Sequence, residues 1–80
     1  MTDPAYQKPI RVELDVDSAG YIGVSVIHMK EVAEFLDRNG VKHWEDHYAV
    51  SVDGRPAEGT IYLDRKCDTR RVQELLDAAA

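Results

Sequence analysis

The sequence predicts an α+β fold, a two-layer sandwich in which two helices cover one face of an antiparallel sheet. Three observations point to it. Ile10, Val12, Leu14 and Val16 alternate with Arg11, Glu13, Asp15 and Asp17, the period of a strand with one dry and one wet face. Two stretches carry apolar residues at helical spacing, first Met29, Val32, Phe35 and Leu36, then Val72, Leu75, Leu76 and Ala79. The helical phrase itself recurs forty positions apart, as Val32-Ala33-Glu34-Phe35-Leu36-Asp37 and Val72-Gln73-Glu74-Leu75-Leu76-Asp77, and the same offset pairs Ile10 with Val50 and Val12 with Val52. The repetition suggests two similar hairpin–helix halves, 10–40 and 48–80.

Each element follows from local chemistry. Residues 1–9 hold Pro4 and Pro9 and show no periodic pattern, so they read as a flexible amino-terminal arm ahead of a single α+β domain, 10–80. Asp17-Ser18-Ala19-Gly20 is turn chemistry. After it Ile22, Val24 and Val26 alternate with Tyr21, Gly23 and Ser25, which makes 10–27 a hairpin. The first helix should run from His28 or Met29 to Asn39, with Gly40 supplying the left-handed residue that ends it. Tyr48, Val50 and Val52 alternate again, Asp53-Gly54 and 56–59 provide turn residues, and Ile61 and Leu63 form the return strand of a second hairpin. Asp68 is the natural N-cap of the last helix.

The order is therefore β-β-α-β-β-α. The alternative is β-α-β-β-α, a ferredoxin-like half, if the glycines of 18–26 make that stretch a loop. The expected core is Ile10, Val12, Leu14, Val16, Val32, Phe35, Leu36, Val50, Val52, Ile61, Leu63, Val72, Leu75 and Leu76. The uncovered sheet face then shows Arg11, Glu13, Asp15, Asp17, Ser51, Thr60 and Tyr62, with Tyr21 as a second aromatic.

Composition narrows the function. A chain of 80 residues forms one small core and leaves little room for a deep private active site. Hydrophobic residues at 44% and charged residues at 31% suit a soluble domain. The net charge of −5 opposes a phosphate backbone, so nucleic acid is not an expected partner. No apolar stretch approaches the roughly 20 residues of a membrane span. A single cysteine and the absence of a basic-then-apolar leader lead to the expectation of a reducing cytoplasm.

Three places carry candidate chemistry. His43-Trp44-Glu45-Asp46-His47 sets two histidines four apart, which share a face and could bind one metal ion on a helix but lie roughly 13 Å apart on a strand. The spacing is not that of the zinc-protease motif, where Glu directly follows the first His. The plainer reading packs His43, Trp44 and His47 around the start of a strand. Arg65-Lys66-Cys67-Asp68-Thr69-Arg70-Arg71 concentrates cations at the start of the last helix, where Arg65, Arg70 and Arg71 could hold a small anionic ligand. The plainer reading there is neutralisation by Asp64 and Asp68. Those cations could also lower the pKa of Cys67, although no histidine lies near it in sequence to act as a base.

No cofactor motif, glycine-flanked serine or phosphate loop is present. The reading favoured by the sequence is a small interaction or regulatory module, binding another protein or itself as a homodimer, with Trp44 and Tyr62 as contact residues. An anion-binding domain comes second and a metal-dependent enzyme third.

Overall fold

The fold is that of a computed structural model, which describes residues 1–4, 7–14, 20–50 and 57–79. Its elements run β1 (Thr2–Asp3), β2 (Lys8–Pro9), β3 (Val12–Leu14), β4 (Gly20–Ser25), α1 (Val26–Arg38), β5 (His43–Val50), β6 (Glu58–Leu63) and α2 (Thr69–Ala78). Strands β3 to β6 form one antiparallel sheet in the order β3-β4-β6-β5, so the second strands of the two hairpins meet at its centre. The β3–β4 hairpin places two strands ahead of α1 in this sheet, which removes the ferredoxin-like alternative.

The α+β class is observed, but the layout differs from the expected one because β1 and β2 pair in a second, two-stranded sheet. Residues 1–9 are where sequence and structure part most. A stretch without periodicity forms a ribbon whose turn closes through Gln7 N–H donating to the Asp3 carbonyl at 2.7 Å, with Gln7 at φ 53°. The ribbon is tied to both helices. The Asp3 carboxylate, 5% exposed, accepts from the Ser25 backbone N–H and the Ser25 hydroxyl, each at 2.8 Å. The Met1 amino group donates to the Leu76 carbonyl near the end of α2, and Ile10 lies in the core.

These bonds explain why α1 starts at Val26 and not at His28. A helix beginning directly after a strand leaves its first amides without partners. Here Asp3 takes the Ser25 N–H and the Ala57 carbonyl takes the Val26 N–H at 2.8 Å, so no connecting loop is needed. Ser25 is the N-cap by position, but its hydroxyl is committed to Asp3 and makes no cap bond.

The far end of α1 follows the sequence closely. Gly40 has φ +69°, its N–H donates to the Asp37 carbonyl and the Val41 N–H to the Leu36 carbonyl, the paired bonds of a Schellman turn. Asp68 caps α2 by accepting the Arg71 N–H at 3.2 Å.

The core joins Ile22, Val24, Ile61 and Leu63 of the central strands to Met29, Val32 and Leu36 of α1, Val72 and Leu76 of α2, and Ile10. Ile22 and Ile61 are register partners and both are fully buried. Ile22, Val24 and Met29 were not among the expected core residues. Leu14, which was, is 66% exposed, while Val12, Phe35 and Leu75 are half-buried. The reason is position: β3 is an edge strand of three residues, and Leu14 pairs with Gly20, which offers no side chain to pack against it. Val16, Val52, Asp15, Asp17 and Ser51 lie outside the described residues, as do the tips of both hairpins. Among the described residues, no helix is long and apolar enough to cross a membrane.

Candidate interaction surface

The alternation that buries Ile22, Val24, Ile61 and Leu63 turns their neighbours to the face that neither helix covers. Register then decides which side chains share a row. Glu13 pairs with Tyr21, Tyr21 with Tyr62, and Tyr62 with Trp44, so one line crosses all four strands as Glu13–Tyr21–Tyr62–Trp44. The Trp44 and Tyr62 rings stack with centroids 6.4 Å apart and planes 28° from parallel, within the range of favourable aromatic pairs. Both remain open to solvent, Trp44 at 53% and Tyr62 at 36% exposure. A stacked pair left half in water is a rigid apolar platform of the kind enriched at binding surfaces.

Thr60, paired with Asp46, forms the next row. Arg11 and Glu13 are exposed as expected. Tyr21 also belongs to an open groove of about 640 Å³ beside the ribbon, whose lining includes Lys8, Arg11, Glu13, Gly23 and Glu58. At Gly23 in that groove a Cβ would come within 2.6 Å of Glu58 Oε1, so the carboxylate lies across the glycine.

Trp44 joins this face because β5 starts at His43, five residues ahead of the expected strand at Tyr48. The same start undoes the helical premise of the metal candidate. His43 and His47 lie on one strand, and the His43 imidazole turns to the helix side, its Nδ1 2.8 Å from the Val41 carbonyl oxygen and its Nε2 3.7 Å from Asp37 Oδ1. The His47 side chain is outside the described set. Among the described residues, no three His, Cys, Asp or Glu side chains gather in a metal-binding group.

The basic cluster is placed differently from the anion site that its sequence suggests. A cleft of about 470 Å³ does open between the end of α1 and the start of α2, but of the three arginines only Arg71 lines it, together with Lys42, Lys66, Asp64 and Asp68. Asp68 already accepts the Arg71 amide of α2, and Asp64 accepts the Lys66 N–H at 2.8 Å and lies 3.7 Å from Lys42 Nζ. The same two carboxylates act on Cys67. Burial pushes its thiol up and Asp64 and Asp68 push it further, the opposite of nucleophile activation by cations.

No protein-family model matches the chain, and no curated protein or solved structure is significantly similar to it.

Proposed function

We propose that the chain is a small non-enzymatic interaction or regulatory module that binds another protein, or a second copy of itself, through the aromatic row of its open sheet face. One observation carries the reading: Trp44 and Tyr62, eighteen residues apart in sequence, are stacked on each other and held out to solvent on the face that neither α1 nor α2 covers. Ordering two large rings in water gains little for folding alone, whereas the rings bury their area once a partner arrives. A domain this small also gains stability from association. With Cys67 as its one cysteine, such a module suits a reducing cytoplasm.

Trp44 is the one tryptophan, so its emission reports on this face. Sedimentation velocity across a concentration series, run alongside fluorescence, should show association accompanied by a shift of Trp44 emission to shorter wavelength. For a partner of different sequence, native mass spectrometry of the protein purified gently from its own cells supplies the complex for the same measurement. Trp44→Ala and Tyr62→Ala should weaken association, and the pair Arg70→Glu and Arg71→Glu should leave it intact. Association that survives Trp44→Ala, or that is lost on reversing the arginines, would refute the assignment to this face.

A further inference from the structure

We infer that the open face holds an arginine-bearing segment of a partner protein, with the guanidinium stacked on the Trp44–Tyr62 pair. This rests on the reading of that face as an interaction surface and names the chemistry of its partner. Two features of the aromatic platform select a cation. Indole offers the strongest aromatic attraction for a positive charge, and a planar guanidinium stacks on a ring where an ammonium only approaches it as a point charge. A platform made of Trp44 with Tyr62 beside it, half-exposed and preorganised by their mutual stacking, presents that surface without further ordering.

Charge around the platform has the matching sign. The open face and the groove beside it carry Glu13, Asp46 and Glu58 against Lys8 and Arg11, while at the margin Asp64 and Lys42 offset each other at 3.7 Å. Among the described residues, the Glu13 and Glu58 carboxylates have no hydrogen bond or ion pair. A second copy laid face to face would set Glu13, Asp46 and Glu58 against a face of the same net sign, on a chain whose net charge is −5. A nucleic acid strand would meet the same repulsion. A cationic segment gains from both rings and carboxylates.

The groove gives the segment a direction. Tyr21 is the register partner of Tyr62 and also lines the groove that contains Glu13 and Glu58. From Trp44 on β5 to Tyr21 on β4 is two strand spacings, about 10 Å, which three or four extended residues cover. A segment with one arginine on the rings therefore reaches Glu13 and Glu58 with its next basic side chain.

The test is a titration of the isotopically labelled protein with a blocked alternating Gly-Arg peptide, with Gly-Lys and Gly-Glu peptides alongside, followed by NMR shifts and Trp44 emission. Saturable shifts are expected at Tyr21, Trp44, Thr60 and Tyr62, tighter for the arginine peptide than for the lysine one, with none for the glutamate peptide. Loss of one exposed cation–π contact in Trp44→Ala should weaken binding about twofold to fivefold. Glu13→Lys, an exposed change that keeps the Trp44 reporter, should weaken it as well while the circular dichroism spectrum stays the same. Equal affinity for arginine and lysine peptides, or shifts away from this row, would overturn the inference. If association still depends on Trp44 while the arginine peptide leaves the row unmoved, the arginine assignment falls and the interaction face stands. If neither disturbs Trp44, both fall.

Discussion

Replacing Asp3 by Ala isolates what the amino-terminal ribbon contributes. In the native fold its carboxylate accepts two bonds from Ser25, and Ser25 is wholly buried. Truncation leaves the Ser25 backbone N–H buried without that acceptor, a loss of about 1–3 kcal/mol by itself. The Ser25 hydroxyl has a way out. Once released it can rotate to accept from the α1 amides, the cap bond it does not make in the native fold. Part of its loss is thereby recovered, and the net expectation is about 2–3 kcal/mol. For a chain of 80 residues the whole stability is on the order of 4–12 kcal/mol, so this is a large share. The midpoint of thermal unfolding should fall by roughly 10–20 °C.

Urea denaturation followed by far-ultraviolet circular dichroism measures the loss directly. Its slope separates two outcomes: an unchanged slope means the ribbon stays docked, and a lower one means it has left the native state, reducing the surface exposed on unfolding. Asp3→Asn keeps one acceptor oxygen and should fall between wild type and Asp3→Ala. A loss below about 0.5 kcal/mol for Asp3→Ala, the size of an ordinary surface change, would refute the claim that this carboxylate starts α1.

Three further expectations follow from single observations. Gly40→Ala should cost about 1 kcal/mol in the same denaturation assay, purely through the left-handed backbone, since an added Cβ meets nothing within 4 Å; a neutral result would mean the turn does not need φ +69°. Gln73 accepts the Val12 N–H at 2.7 Å and donates to the Ile10 carbonyl at 3.3 Å, so Gln73→Ala should cost about 1 kcal/mol and speed amide hydrogen exchange at Val12, and unchanged exchange would remove this clamp from the account of β3. Burial first, and then Asp64 and Asp68, disfavour the Cys67 thiolate, so alkylation by iodoacetamide should be slower at neutral pH than for a free cysteine and should keep rising above the ordinary thiol range, whereas fast reaction at neutral pH would show that the neighbouring cations dominate.

Much of the fold was legible because it rests on local signals. Asp68 caps α2, Gly40 ends α1, and the apolar stripes through Val32 and Leu36 and through Val72 and Leu76 are buried. These need only a few neighbouring residues to be read. The ribbon was not legible because its order comes from bonds that reach across the chain, from Asp3 to Ser25 and from Met1 to Leu76, and a stretch of two-residue strands has no period. Leu14 failed for a related reason. Alternation identifies which face a residue points to, but that Leu14 pairs with Gly20, which has no side chain, on an edge strand is a tertiary fact.

The site shows the same division in sharper form. Trp44 and Tyr62 could each be singled out as aromatic residues, but their contact depends on the register of β5 against β6, which no local pattern gives. The sequence placed the start of β5 at Tyr48, where the alternation of Tyr48, Val50 and Val52 begins. The strand in fact begins at His43, through Trp44-Glu45-Asp46, a stretch whose polar residues hide its period. Between Asp46 and Val50 the pairing also shifts, β5 advancing four residues while β6 advances two, from Thr60 to Glu58. The net slip of two residues keeps the parity but changes which residue of β6 each residue of β5 meets, so a reading anchored on Tyr48 had no local signal that Trp44 lies opposite Tyr62. One register therefore settles two questions at once: opposite Tyr62 it sets Trp44 on the open face, and opposite Leu63 it sets His43 on the closed one, where its ring nitrogens face Val41 and Asp37. The arrangement that builds the aromatic platform is the same one that turns His43 away from the open face.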